Sequence, residues 1–404
     1  MPSKSLSRRS LMGTAALGVA QLGSAVAPPA SEKPAPSIIP TKLESSEKLK
    51  VAILGCGKRS GAHIRAISHY EDIEISALCD ILPEKMEEKK KLVQRGNPRL
   101  YTDYQKMLSQ ADLHAVAIVL PNTLHRETSV AALDAGKHVL CEKPLTLEVS
   151  GCQEIIRAAD RNRRVLQVGT QSRHAANYAA LAEKIHSGLV GNVLYAWIQT
   201  FRSDWTKLYA DPATDSRLNW RMKQSEGGAV IYEQGIHTVD VFNWFIGSGP
   251  LEITAMGGVH NEKLQARDSW DHAGIVVRYA NGTMVTYGGN VYSSGGPGPN
   301  VLFGDAASLE VGGLRSPHAT LHKRTYWRPY DLGRPDPLAG REQIALPSAE
   351  PEPTTAQWGY FLESVQGKKP PFPSARHHLP AVQIARGSLI SAAERRHVRV
   401  SEVS

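Results

Sequence analysis

At 404 residues the chain is long enough for two domains with cores of their own. Its 47 basic and 39 acidic residues leave a net charge of +8, but that charge is spread along the sequence and no recognition motif accompanies it, which excludes nucleic acid as the partner. The four cysteines, Cys56, Cys79, Cys141 and Cys152, lack metal-type spacing and read as small buried or loop residues rather than disulfide partners.

Residues 1–27 read as a targeting segment. Ser7-Arg8-Arg9-Ser10-Leu11-Met12 opens a weakly apolar run rich in alanine and glycine that extends over 11–26. The paired arginines resemble a twin-arginine export signal, which predicts a periplasmic protein. Ala25-Val26-Ala27 has the small-residue form of a cleavage site, but Pro28 disfavours the cut, and an uncleaved membrane anchor is the other outcome. A transmembrane helix fits less well, because the run is short and broken by glycine and glutamine. Residues 28–48, rich in proline, serine and charge, read as a linker or an extended arm.

An apolar strand is expected at 49–54, then the loop Gly55-Cys56-Gly57-Lys58-Arg59-Ser60-Gly61 and a helix over 62–68. This has the form of a dinucleotide loop: Gly55 makes the turn, Gly57 lets the backbone approach a pyrophosphate, and the helix amino end supplies oriented N–H groups. Ser60 stands where a third glycine is usual. The next strand, 73–78, ends in Cys79-Asp80, where a carboxylate takes the ribose hydroxyls. Such a group repels a 2′-phosphate, so NAD is expected over NADP, with Lys58 and Arg59 near enough to soften the preference.

A strand over 115–120, a loop opened by Pro121-Asn122, a helix over 125–135, a Gly136 stop and a strand over 138–141 then make a β-α-β unit, which needs parallel strands. Ligands of open parallel sheets sit beyond the carboxyl ends of the strands, so the loops at Pro121 and at Glu142-Lys143-Pro144 open onto one edge. An ammonium just past a buried strand marks Lys143 as a candidate for chemistry, although most lysines are simply solvated. A helix over 151–161 and a strand over 165–171 close a nucleotide domain of residues 49–171.

Across 172–404 the texture changes to longer alternating stretches, at 193–201, 251–259, 273–280, 283–290 and 308–311, with Asn281-Gly282 as a hairpin turn. They predict an α+β domain with a predominantly antiparallel, one-faced open sheet. Helices are expected at 356–366 and 379–395, and residues 315–353 are too proline-rich to assign. Before the second of these strands, Glu233, His237 and Asp240 fall along one face of a helix. A carboxylate beside a histidine fixes its tautomer and raises its basicity, as a proton acceptor near neutral pH needs. The alternative is one buried histidine with two solvated acids. Zinc sites also use a Glu-x-x-x-His helix, but no third ligand is apparent and no metal is expected. Arg202, Trp205, Trp220 and Arg221, on loops before this helix, are the candidates to hold a sugar ring.

Pro121, Asn122, His125, Ala132, Leu133, Gly136, Lys137, His138, Val139, Glu142, Lys143, Pro144 and Leu145 match, in order, P-N-x-x-H followed by A-L-x-x-G-K-H-V-x-x-E-K-P-L. On these positions the chain resembles the glucose-fructose oxidoreductase and inositol dehydrogenase family (Gfo/Idh/MocA). The family's D-x-G-x-H-x-x-D is met at Gly235, His237 and Asp240 and departs at Glu233, where aspartate is usual. The resemblance implies an α/β Rossmann domain followed by the α+β domain, and a homo-oligomer. It implies cofactor contacts from Leu120, Pro121, Asn122, His125, Glu142 and Lys143 beside Gly55, Gly57, Lys58, Ser60 and Asp80. His237 would be the acid-base residue, assisted by Glu233, with Lys143 on the reacting oxygen and Asp240 near the substrate.

The function so implied is NAD-dependent oxidation of a hydroxyl on a sugar, polyol or sugar derivative. A glycoside hydrolase using transient oxidation by the same bound NAD, and a non-catalytic NAD-bound sensor, are the alternatives. Free nicotinamide nucleotide is scarce outside the cytoplasm, so an exported enzyme is expected to keep its NAD tightly bound, with the proline-rich arm covering the adenosine or a neighbouring subunit.

Overall fold

The runs LKVAIL, AVAI and HVLC carry aliphatic side chains on both faces, the mark of strands covered on both sides, and they form the middle of a parallel sheet. The computed structural model describes residues 36–42, 47–202, 220–260, 268–291, 298–323, 340–348 and 350–404. The candidate signal segment 1–27 and Trp205 lie outside the described residues.

The first sheet contains β1 (Leu49–Leu54), β2 (Ile73–Cys79), β3 (Arg99–Tyr101), β4 (Ala115–Ile118), β5 (His138–Cys141) and β6 (Leu166–Val168), all parallel, in the order β3-β2-β1-β4-β5-β6. Between its strands run α1 (Ser60–Ile67), α2 (Pro83–Lys90), α3 (Tyr104–Gln110), α4 (His125–Asp134) and α5 (Val149–Asn162). Strand order reverses between β1 and β4, so the loops that leave their carboxyl ends flank a crevice where such sheets bind ligands.

After α6 (Ala176–His186) the chain builds β7 (Val193–Phe201), α7 (Gln224–Gly227), α8 (Ile236–Ile246), β8 (Pro250–Gly258), β9 (His272–Tyr279) and β10 (Met284–Asn290). Then come β11 (Asn300–Gly304), β12 (Ala307–Val311), β13 (His318–Lys323), β14 (Arg341–Ala345), α9 (Pro353–Val365), α10 (Ala375–Glu394) and β15 (Val398–Arg399). The second sheet has the order β14-β13-β12-β11-β7-β10-β9-β8-β15 and is antiparallel except where β10 pairs with β7. Alternation puts Ala196, Ile198, Ile275, Val277, Val285 and Tyr287 in the core, while no described element covers the opposite face. Two strands, β13 and β14, form inside the stretch 315–353 that composition left unassigned, because ladder pairing with β12 overrides weak local preference.

Helix α9 crosses the expected boundary at residue 172. Trp358, Phe361, Leu362 and Val365 of α9 pack with Leu49, Val51, Ile53 and Ile64, so the late helix completes the core of the nucleotide domain. The described part of the arm is also placed. Ile39 N–H donates to Arg163 O (2.9 Å) and Thr41 N–H to Val365 O (3.0 Å), and the Thr41 hydroxyl meets His138 Nε2 at 2.9 Å. His138 opens β5, so residues 36–42 lie at the amino ends of the strands. That is the wrong edge for covering adenosine, and the expectation is corrected for this part of the arm. No helix among the described residues is long and apolar enough to cross a membrane.

Candidate active site

The glycine loop explains its own composition. Gly55 has φ of +97°, and a Cβ there would lie 2.3 Å from the Val119 carbonyl oxygen, so no side chain is tolerated. A Cβ at Gly57 would meet nothing within 4 Å, which leaves the backbone surface open to a phosphate. α1 starts without a side-chain cap, so its first amides face the same opening. Ser60 is buried and its hydroxyl donates to Gly57 O at 2.6 Å, bracing the turn from inside. Lys58 is exposed at the loop tip. Asp80 accepts from Cys56 N–H at 2.7 Å and Leu82 N–H at 2.9 Å, and each carboxylate oxygen keeps a lone pair for a hydroxyl. Arg59 is turned away from that carboxylate, with Nε donating to Glu142 at 2.7 Å, and so does not soften the choice between NAD and NADP. An open glycine backbone, uncapped helix amides and a carboxylate at the next strand end together fit a dinucleotide.

Lys143 leaves the end of β5 half-buried, and its Nζ donates to the backbone carbonyl of Glu233 at 2.7 Å. Glu233 lies in a π-helical turn, Ile231–Gly235, that leads into α8. Its carboxylate accepts from Asn122 Nδ2 at 3.0 Å and from Arg221 Nε at 2.9 Å, and Asn122 also donates to Gly227 O at 3.2 Å. Both loops of the nucleotide domain therefore grip one residue of the second domain. Burial pushes the Glu233 carboxyl up, but the Arg221 and Lys143 charges prevail and hold it below its ordinary value.

The expected pairing of Glu233 with His237 does not form. The wider π turn breaks the four-residue register, and Asn122 and Arg221 engage both carboxylate oxygens. His237 opens α8 half-buried, and its Nδ1 is enclosed with no hydrogen-bond partner among the described residues. Burial first, and then the Lys143 charge, lower its pKa to about 3. Burial likewise lowers the Lys143 pKa, against the pull of Glu233 and Glu142. The arrangement offers a neutral imidazole, able to accept a proton, within the field of an ammonium able to stabilise an oxyanion.

Other sequence-selected residues sit elsewhere than expected. Asp240 is fully buried, with Arg173 Nε at 2.6 Å and His378 Nδ1 at 3.2 Å, and it ties α8 to the β6 exit and to α10 instead of facing a substrate. His125 is buried between two carbonyl oxygens, Pro144 O 2.8 Å from Nδ1 and Leu120 O 3.0 Å from Nε2; burial favours the neutral ring, which donates to one of them, and neither nitrogen is presented to a cofactor. Glu142 lies beneath the loops, held by Arg59 and His63, and Asn122 bridges the domains. Leu120 and Pro121 remain half-buried at the crevice edge. Arg221 reaches the site with its guanidinium 4.1 Å above the ring of Trp220, which is itself largely buried. Arg202 follows β7, with an exposed side chain and its N–H on Asn290 O. Arg173 and His63 were not selected, since nothing in a lone basic residue on a loop or helix reveals a distant carboxylate.

Two sequence models match: the oxidoreductase family with an NAD-binding Rossmann fold over residues 49–170, and the GFO/IDH/MocA C-terminal domain over 178–310. An inositol 2-dehydrogenase of Salmonella paratyphi B is 29% identical over 202 residues, 49% of this chain and 54% of that protein. A glycosyl hydrolase family 109 protein of Shewanella pealeana is 27% identical over 238 residues, 54% of this chain and 52% of that protein. The chain thus spans about half the length of these curated relatives. Levoglucosan dehydrogenase, solved with NADH and levoglucosan, superposes with a TM-score of 0.73 at 20% identity, covering 88% of this chain and all of that one, a likeness of fold. From the glycine loop to the open sheet, the chain belongs to the Gfo/Idh/MocA family of NAD-binding oxidoreductases.

Proposed function

We propose that the chain transfers a hydride between bound NAD and a carbon bearing a hydroxyl on a sugar, polyol or sugar derivative. The observation that carries this reading is the approach of Lys143, from the nucleotide domain, to the turn that presents His237. NAD supplies the hydride acceptor. His237 takes the hydroxyl proton while neutral, and Lys143 holds the same oxygen and offsets its developing charge. Arg221, stacked on Trp220 and bonded to Glu233, would border the substrate. Screening inositols and aldoses for NAD reduction, in the wild type and in Lys143→Ala and His237→Ala, tests the assignment. Unchanged turnover in both variants overturns it.

The similarity to a glycosyl hydrolase family 109 protein favours a second reading, in which oxidation is transient and a glycosidic bond is lost. Release of free sugar from an aryl glycoside without an added acceptor selects it. Export by the twin-arginine route, with NAD loaded before transit and retained, rests on Ser7-Arg8-Arg9-Ser10-Leu11-Met12. Nucleotide released on denaturing protein purified from the periplasm tests this, and its absence removes the idea. The uncovered sheet face, with Trp197 53% and Met256 80% exposed beside Tyr195 and Phe303, supports a homo-oligomer closed over that face.

A further inference from the structure

We infer that Trp358, His63 and Glu142 form a positioning relay by which the late helix α9 sets the stance of Arg59 and Lys143. The inference rests on the cofactor reading above. The indole N–H of Trp358 is a donor only, and it points at His63 Nδ1 from 3.1 Å. A nitrogen that accepts carries no proton, so His63 is fixed with its proton on Nε2. That Nε2–H donates to Glu142 Oε1 at 2.9 Å, and the same oxygen accepts from Arg59 Nε at 2.7 Å. The other Glu142 oxygen accepts the backbone N–H of Lys143 at 3.1 Å. Thr354, at the start of α9, takes a second contact from the Arg59 guanidinium at 3.4 Å.

Trp358 and His63 are fully buried and Glu142 is 6% exposed, so no water stands in for a missing partner. Each link demands the next. Arg59 precedes the first turn of α1, where the open glycine backbone awaits a phosphate, and Lys143 is the group that meets the second domain. One buried carboxylate thus stands between a cation of the glycine loop and the cation that meets the second domain. It fixes the side chain of the first and the backbone of the second. The relay residues act through Arg59 and Lys143. The glycine loop and the Glu142-Lys143-Pro144 turn are thereby coupled to a segment nearly 300 residues downstream of the loop, with separations of 295 for both Trp358–His63 and Arg59–Thr354.

Two conservative variants test the relay in the full chain. Trp358→Phe keeps the apolar ring and removes the N–H; Glu142→Gln keeps the shape and removes the charge. In Trp358→Phe the Glu142 carboxylate still holds the His63 proton on Nε2, so nitrogen NMR should keep that tautomer while the Nδ1 resonance shifts on losing its donor, and the Kd for NAD, by calorimetry on nucleotide-stripped protein, should rise about threefold to tenfold, as for one lost hydrogen bond. In Glu142→Gln, half-maximal labelling of Lys143 by an amine reagent, read by mass spectrometry, should move to lower pH, because a supporting negative charge is gone. The His63 Nδ1 resonance and the labelling need no bound nucleotide, so they judge the relay even where the wild type binds no NAD. An unchanged His63 spectrum in the first variant, or an unmoved Lys143 profile in the second, overturns the proposal.

Discussion

Lys143 reaches across the domain boundary to the Glu233 backbone, Nζ to carbonyl oxygen at 2.7 Å, and by that bond the ammonium is held beside the turn that opens α8. A point charge on a flexible stem is thereby given one direction. Lys143→Ala should cost about 100-fold to 10,000-fold in kcat, the range of a positioned proton or oxyanion group. Lys143→Arg should recover little, since a planar fork cannot occupy the place of a compact ammonium. Steady-state kinetics of both variants decide it, and a near-normal Arg variant would refute a geometric role.

Stability should fall with acid because of neutral buried histidines. Burial, with nearby positive charge, lowers His237 and His138 to about 3 and His174 to about 4, whereas unfolded they titrate near 6.5. Between those values the unfolded chain binds more protons, so stability is complete above about pH 6.5 and is lost as the pH drops toward the folded values. The urea midpoint should therefore decrease steadily from pH 7 to pH 4.5. His138→Gln, which can still accept from Val165 N–H and donate to Thr41, should flatten that slope. An equal slope in the variant would contradict the account.

Asp240 should matter to stability and not to substrate recognition. It is buried with Arg173 and His378, and the three groups join α8, α10 and the exit of β6. Burial pushes its carboxyl up, yet Arg173 and His378 bring it down to about 2. Arg173→Ala strands this charge in the interior and should destabilise the fold by about 3–5 kcal/mol, as for other broken buried pairs. Calorimetry reads the loss. If the variant melts like the wild type while KM rises, the carboxylate serves substrate after all.

Asp80 should govern nucleotide choice. Its two backbone hydrogen bonds fix it at the end of β2, and Arg59 is tied elsewhere by Glu142. Asp80→Ser removes the repulsion of a 2′-phosphate, and the ratio of NAD to NADP affinity should fall about tenfold or more. Paired titrations with the two nucleotides measure it, and a constant ratio would show that another group discriminates.

The sequence was informative where periodicity and backbone constraint act locally. Gly55 announces its turn because only glycine takes that φ against the Val119 carbonyl, and the aliphatic runs of β1, β4 and β5 announce a parallel sheet. Partner choice was not legible. Asn122, His125 and Glu142 appear in motif positions beside Lys143, yet each is directed to a group supplied by another segment: Gly227 and Glu233, Pro144 and Leu120, Arg59 and His63. Helix α9 hid its domain for the same reason. Its apolar face reads as amphipathic wherever it packs, and only the chain's return places Trp358 against His63.

Glu233 separates two views of the site. As the basic partner of His237 it would tune proton transfer, and Glu233→Gln would shift the acid limb of the kcat profile. As a clasp held by Asn122 and Arg221, it aligns the two domains, and its loss should misplace Lys143 and His237 together. Misplacement by about 1 Å costs on the order of 100-fold. Glu233→Ala and Asn122→Ala should each lower kcat/KM, and the double variant should lose much less than the product of the two, because both remove the same bond. The acid limb should stay where it is in the wild type. Additive losses with a displaced limb would return Glu233 to the role of a proton-transfer partner and leave Asn122 as an ordinary loop contact.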